Sequence, residues 1–394
     1  MLTPYLPYPP VSGGRTRTVN LVRRLSSEYR FTVVCFGRPE ERSFDVEPFR
    51  QFSELYIIDR EPSPSTLRAA LLSLTSIHPI TQRLYHSAAM TDQIRQLAQE
   101  TLFSAIHVES FYMMQNIPEE LKLPVLLSEP SIEFVAWGRF AKVAQPLYQR
   151  PALWLESLKM RMDEPKAWEK ATYVGVMSEF DQGIVKGIAP RTQTVEVPNG
   201  VDIDYFHDIG YERDPKGAIY MGDYKYFPNT EAIFYFMSAI MPLVRAEIPD
   251  FTLTLLGKDA PQKLIELSQK PAAGLKVLGL VDDTRPYLNR AGMFICPQRS
   301  GGGTRYKLLE AMACGCPVVS TTLGAEGLEA EHQKHLLIAD SPREFADAIL
   351  TLVRNTALAR TLGAAGRTHI KLRHSWERGA TKLKDVYRMM INGT

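Results

Sequence analysis

A chain of 394 residues exceeds the usual size of one hydrophobic core, so two domains of about 150–200 residues are expected. Apolar residues make up 45% and charged residues 23%, ordinary globular values, and a net charge of +2 without any basic block argues against nucleic-acid binding. Four scattered cysteines, Cys35, Cys296, Cys314 and Cys316, exclude a disulfide framework, and Cys314-Gly315-Cys316 lacks the gap and second pair of a zinc site.

Short β-branched runs alternate with longer amphipathic stretches along the chain, the pattern of βα units and parallel sheets. Met1 stands almost against the Pro-rich loop 4–10, so the first strand is expected to be short. Gly13-Gly14-Arg15 then reads either as a tight turn with a solvated arginine or as a flexible loop over an anionic ligand. Strands are expected at 31–36, 55–58, 105–108, 125–127 and 173–177. His107, near a strand end, suits a polar site or a satisfied core position equally. The amphipathic stretch 67–85 and Trp137 read as packing elements. Residues 195–202 form a strand ending in an Asn-Gly turn. Directly after that turn, Asp202-Ile203-Asp204 is a poor metal pair, and no bound metal is expected. A second series of strands is expected at 218–221, 251–256, 275–278, 293–296 and 318–321. The longest apolar run, 233–244, is interrupted by Ser238 and Pro242, and no run reaches membrane-span length. With no signal-peptide pattern ahead of the first elements, a reduced, cytoplasmic protein is expected.

The strongest signal begins at Met293-Phe-Ile-Cys-Pro297, an apolar strand that runs into Gly301-Gly302-Gly303-Thr304-Arg305 and then into a helix carrying Lys307 and Glu310. That helix is expected to stop at Gly315, before Pro317 and another β-branched run. Glycines at a helix start let a ligand approach the backbone, and the free N–H groups favour an anion. Arg305 and Lys307 add positive charge at the same place. A carboxylate there is repulsive to phosphate unless it accepts hydrogen bonds from sugar hydroxyls, so Glu310 turns the reading toward a nucleotide sugar. The plainer alternative is a glycine-rich loop before a surface helix with a solvated Lys-Glu pair. Lys307 and Glu310 share a stripe three residues apart, so they can face one ligand or simply pair with each other. Arg305 would fall near the inward Leu308 face if the first turn were regular.

Residues 298–321 resemble the donor-site signature of retaining glycosyltransferases of family 4, in the subgroup reading Gly-Gly-Gly-Thr-Arg-x-Lys-x-x-Glu-Ala. Other stretches fall in that family's order: Pro7 to Arg15 with Arg17, 176–181, Pro198-Asn199-Gly200-Val201-Asp202 with Phe206, 221–229, Leu256-Gly257, Gly279-Leu280-Val281, and the closing stretch from Ser375 to Met390. The resemblance implies an α/β protein of GT-B architecture, two Rossmann-like doubly wound domains facing across a cleft. Residues 1–205, completed by 376–394, would form the acceptor-side domain, and 206–375 the nucleotide-sugar domain. It further implies that Glu310 holds the ribose hydroxyls. The backbone around Gly301, Gly302, Gly303 and Thr304 would meet the donor sugar and diphosphate. Val281 would lie against the nucleotide, and Gly13, Gly14 and Arg15 near the diphosphate or acceptor.

Three departures stand out. The second Glu that most relatives place eight positions before the helix Glu is Gly302 here. The Arg and Lys that follow the first strand of the second domain are replaced by Gly222-Asp223-Tyr224-Lys225, which leaves Arg305 and Lys307, with Lys225 third, to neutralise a leaving diphosphate. A His expected after the fourth strand of the first domain is absent from Ser128-Glu129-Pro130-Ser131-Ile132-Glu133. Glu129 or Glu133 would take that polar role, unless Glu133 merely caps a helix or pairs with Arg139. The chain thus reads as a retaining glycosyltransferase, needing no cofactor. It would move a hexose from a nucleoside diphosphate sugar to a hydroxyl acceptor on a glycan, a lipid carrier or a small molecule. Peripheral membrane contact would follow from a lipid-linked acceptor. The rivals are a nucleotide-sugar epimerase or hydrolase on the same architecture, and a non-catalytic carbohydrate-binding or scaffold protein.

Overall fold

The computed structural model describes residues 1–60, 72–144 and 146–393. Residues 67–71, the start of the amphipathic stretch, and Thr394 lie outside the described residues. The chain divides into two compact units, Met1–Asn199 with Trp376–Thr394, and Gly200–Ser375. The boundary falls at 199/200 rather than 205/206. Val201 N donates to His374 O at 2.8 Å, and Val201 bridges Ser375, which ties the start of this segment into the second unit.

The first unit holds seven parallel strands in the order β3-β2-β1-β4-β5-β6-β7. They are β1 Leu2–Thr3, β2 Thr32–Gly37, β3 Glu54–Asp59, β4 Ile106–Glu109, β5 Val125–Glu129, β6 Tyr173–Val176 and β7 Thr194–Glu196. The central strands are buried along their whole length, as both-face burial by crossover helices requires, whereas the edge strand β3 alternates. The short first strand nonetheless pairs on both sides, with β2 and β4. Arg17, on the Gly13–Leu25 helix and fully buried, binds Val197 O at 3.0 Å, Pro198 O at 3.3 Å and Asn199 Oδ1 at 2.9 Å. The closing helix Trp376–Asn392 packs on this unit. Its Tyr387 ring meets Tyr29 edge-on at 5.2 Å, and its Arg24–Glu377 pair spans 2.9 Å.

The second unit holds six parallel strands in the order β10-β9-β8-β11-β12-β13. They are β8 Asp214–Met221, β9 Thr252–Leu256, β10 Leu275–Gly279, β11 Ala291–Cys296, β12 Val318–Ser320 and β13 Leu337–Ile338. Chain order runs outward in both directions from the β8/β11 pair, so the carboxyl ends of those two strands form a topological switch point, where open α/β sheets bind ligands. The apolar run 233–244 becomes helix Phe227–Tyr235, a π-turn Phe236–Ile240 and helix Met241–Glu247. Pro242 lacks an N–H and disturbs the ladder there, which accounts for the turn. No helix among the described residues is long and apolar enough to cross a membrane. All four cysteines are buried and unpaired.

Gly257, just past β9, has φ +122°, and a Cβ there would stand 1.8 Å from the Gly222 carbonyl oxygen at the end of β8. Two strand exits touch at this point with no room for any side chain. Gly257→Ala is therefore expected to cost at least ~2 kcal/mol through backbone strain and collision, read as a lowered urea midpoint. A midpoint equal to that of the wild type would show that the two exits separate freely.

Candidate functional site

The glycine loop lies at the switch point, immediately after β11. Gly301 and Gly303 take positive φ values of 95° and 71°, so the loop's curvature needs glycine at these two positions. Gly302, where the resemblance expects a second Glu, is not one of them. Arg305 is the N-cap of helix Tyr306–Ala313 with extended backbone (φ −85°, ψ 107°), not a residue of its first turn. Its side chain folds back onto the loop. Nε donates to Gln298 Oε1 at 3.1 Å and Nη1 to Gly303 O, while Nη2 is buried without a partner. The hydroxyls of Ser300 and Thr304 are likewise buried and unpartnered. Three buried hydrogen-bonding groups without partners around one glycine loop are an arrangement that folded proteins rarely leave uncompensated.

Lys307 is fixed by a neighbouring network. Its ammonium donates to Asn229 Oδ1 at 2.6 Å and Tyr220 Oη at 2.7 Å, and lies 4.2 Å from the centroid of the Tyr220 ring. Asn229 Oδ1 also accepts from Tyr220 Oη at 2.9 Å and from Gln298 Nε2 at 3.1 Å. Asn229 Nδ2 donates to Asp223 O at 2.8 Å, which links the network to the loop after β8. The Glu310 carboxyl makes neither a hydrogen bond nor a salt bridge among the described residues, so the helix ion pair with Lys307 does not form. Both side chains keep some accessible surface. Desolvation nevertheless pulls Lys307 from 10.5 down to about 7 and pushes Glu310 from 4.5 up to about 7, each partly offset by the other's charge.

The remaining candidates are placed differently. Lys225 is exposed and faces Asp259 at 3.4 Å, while Asp223 faces Lys258 at 3.2 Å. Val281 is half-buried against the core of the second unit. Gly13, Gly14 and Arg15 open a helix of the first unit. Gly14 is needed for packing, since a Cβ there would stand 2.6 Å from Tyr5 Oη. Arg15 is not solvated but paired with Glu41 and largely buried. Glu133 is not paired with Arg139. It accepts from Trp137 Nε1 at 3.1 Å and Ser131 Oγ at 3.4 Å, and Arg139 lies over the Phe180 ring at 5.7 Å. Burial raises the Glu133 carboxyl and holds the Glu129 carboxyl well above its usual range, the latter also repelled by Glu164. His107 is a satisfied core histidine, bonded to Tyr387 Oη at 2.6 Å and Ser128 Oγ at 2.8 Å. Asp202 Oδ1 accepts from the N–H groups of Asp204 and Tyr205 at 3.1 and 2.9 Å, a turn rather than a metal site. Tyr220, Asn229, Gln298 and Ser300 were not singled out from the sequence. Gln298, at the strand end ahead of the glycines, carried the one available signal.

Residues 215–355 match the family of glycosyl transferases group 1. The chain is 29% identical over 208 residues to phosphatidyl-myo-inositol mannosyltransferase of Mycobacterium tuberculosis, covering 50% of this chain and 54% of that protein. The chain thus spans about half the length of the curated relatives it matches. Among solved structures, sucrose-phosphate synthase from Thermosynechococcus elongatus superposes with a TM-score of 0.77 at 18% identity, covering 100% of this chain and 99% of that one. The Anabaena HepE protein in complex with UDP-glucose superposes with a TM-score of 0.64 at 14% identity, covering 98% of each chain. At these identities the likeness shows the fold, two parallel-sheet α/β domains of the GT-B kind.

The raised Glu310 carboxyl has a consequence for stability. The folded protein holds this proton more tightly than the unfolded chain, so between about pH 4.5 and 7 the folded state binds more protons and loses stability as pH rises. Glu310→Gln removes that loss. The variant's urea midpoint, relative to wild type, is expected to climb steadily from pH 4.5 to 7; a constant difference would contradict the assigned burial.

Proposed function

We propose that this protein is a retaining glycosyltransferase that moves a hexose from a nucleoside diphosphate sugar to a hydroxyl acceptor. The observation that carries the reading is the glycine loop at the β8/β11 switch point, with the unmet donors of Ser300, Thr304 and Arg305 beside the uncompensated ammonium of Lys307. The family match over the second unit and the activity of the mannosyltransferase relatives support it. That HepE is held with UDP-glucose supports a nucleoside diphosphate sugar as donor. A lipid-linked acceptor draws support from the relatives' phosphatidyl-inositol substrate. The free, buried cysteines support a reducing, cytoplasmic setting.

In this reading Glu310 accepts hydrogen bonds from the ribose hydroxyls, and the loop 301–304 receives the donor sugar and diphosphate. Arg305 offers its free Nη2 edge, and Lys307 a compact charge, to the diphosphate as negative charge builds on it. Glu133, in the first unit, is the acceptor-side polar group. Retention proceeds by front-face attack, with the leaving diphosphate taking the acceptor proton, so no carboxylate nucleophile and no metal are needed.

Incubation with a panel of nucleoside diphosphate sugars and hydroxyl acceptors tests the reading. A new glycoside with free diphosphate is expected, undiminished in EDTA. A new sugar nucleotide would make the protein an epimerase, and no product with any donor would leave a binding or scaffold role. Loss of turnover in EDTA, restored by Mg²⁺ or Mn²⁺, would overturn metal independence.

The cation assignment is tested separately. Glu310→Ala is expected to weaken nucleoside diphosphate binding by roughly 1.5–3 kcal/mol per hydrogen bond lost, measured calorimetrically. Lys307→Met and Arg305→Ala are expected to lower kcat well beyond their effect on donor affinity. Wild-type turnover in both, at saturating donor, would remove them from the chemistry.

A further inference from the structure

The helix Arg150–Lys170 in the first unit carries apolar residues on both faces. Its buried face sets Met160, Ala167 and Trp168 into the core, together with Glu156, Lys159, Asp163 and Glu164, each of which has partners. Glu156 accepts from Ser73 Oγ at 2.5 Å, Ile80 N at 2.7 Å and Lys159 Nζ at 2.8 Å. Asp163 meets His78 and Lys166, both at 2.7 Å, and Glu164 caps the preceding helix through the N–H groups of Glu133 and Phe134 at 2.9 and 3.0 Å. The outward face carries Trp154, Leu158 and Met162, which are 47%, 56% and 55% exposed. At four-residue steps they form one stripe. Tyr148, just before the helix, is 78% exposed. Leu74 and Ile77, on the segment that Glu156 and Lys159 hold, are 69% and 79% exposed. Apolar side chains in this concentration belong against another apolar phase.

The surrounding charge says which phase. On this helix and the helix Glu133–Val143 before it, Lys142, Arg161, Lys166 and Lys170 are exposed, with Glu169 as the exposed acid between them. A symmetric contact between two copies would set these cationic rims against each other, whereas anionic headgroups complement them. Tryptophan and tyrosine suit the headgroup boundary, apolar in body and polar at the tip. We propose that this face docks the protein on the surface of an anionic lipid bilayer. The inference does not depend on the donor-site reading.

Co-sedimentation of the full chain with vesicles tests it. Binding is expected to 1:1 phosphatidylglycerol/phosphatidylcholine vesicles, with severalfold loss in 0.5 M NaCl and little binding to pure phosphatidylcholine. Leu158→Asp with Met162→Asp is expected to lower binding roughly tenfold, with an unchanged far-UV spectrum because both positions are exposed. Lys142→Glu with Lys170→Glu, both exposed, should weaken binding without touching the apolar stripe, and serves if the first variant misfolds. Absence of vesicle binding, equal binding to neutral and anionic vesicles, or binding unaffected by the variants would overturn the proposal. So would a wild-type dimer that dissociates in the Leu158/Met162 variant, which would assign the face to a second copy.

Discussion

Asn229 Oδ1 receives Lys307, Tyr220 and Gln298, and Gln298 passes the network on to Arg305. The arrangement of the second unit's site depends on that choice of acceptor. An amide oxygen orients an ammonium by hydrogen bonding but leaves its charge in place, whereas a carboxylate in the same position would orient and neutralise it together. Elsewhere on the unit the cations meet carboxylates: Lys216 with Asp250, Lys258 with Asp223, Arg299 with Glu231. At the glycine loop the two basic side chains are positioned by neutral groups. The cost is visible in Lys307, whose ammonium is destabilised until it titrates near neutrality. An anion arriving there would hold the proton on Lys307 and recover that cost.

The fold supplies the rigidity this network needs. Because the sheet is parallel and its chain order reverses at β8/β11, two strand exits, the 222–229 segment and the glycine loop, converge from different parts of the sequence. The helix that follows is clamped at its far end. Arg213 Nη2 donates to Cys314 O at 2.8 Å, and Gly363 lies so close that a Cβ there would stand 2.2 Å from Gly315 O. A helix pinned at its carboxyl end presents Lys307 and Glu310 at a defined place, which a surface loop could not do.

The sheets and the loop were legible in the sequence for one reason. Buried parallel strands are unbroken apolar runs, and a glycine run followed by a helix is a local signal. What escaped was non-local. Tyr220 and Asn229 lie 87 and 78 residues from Lys307, and a tyrosine in a strand or an asparagine near a helix start looks the same whether or not it holds a cation. The direction of Arg305 turned on whether the first turn is regular, and the extended N-cap found there is a backbone detail that side-chain spacing does not report. Arg15 reads from sequence as solvated or set over an anion, and Glu133 as a polar site residue, a helix cap or a partner of Arg139; Arg15 is instead held by the distant Glu41, and Glu133 by Trp137 one turn along its own helix. The helix Arg150–Lys170 offers no periodic signal, since apolar residues stand on both its buried face (Met160, Trp168) and its exposed face (Leu158, Met162).

Formal charge is therefore a poor guide to either unit, and for opposite reasons. In the first unit the carboxyls of Glu129, Glu133 and Glu164 are all pushed upward by burial. There the polar groups are used structurally: Glu164 caps a helix and Glu129 receives Trp168 Nε1 at 3.1 Å. At the glycine loop of the second unit the pattern differs: among the described residues the Glu310 carboxyl has no partner, and Arg305 and Lys307 meet no carboxylate. In the first unit Glu156, Lys159 and Glu164 hold neighbouring backbone groups beneath the helix Arg150–Lys170. In the second, Arg305, Lys307 and Glu310 stand without opposite-charge partners beside a loop whose curvature needs glycine at 301 and 303.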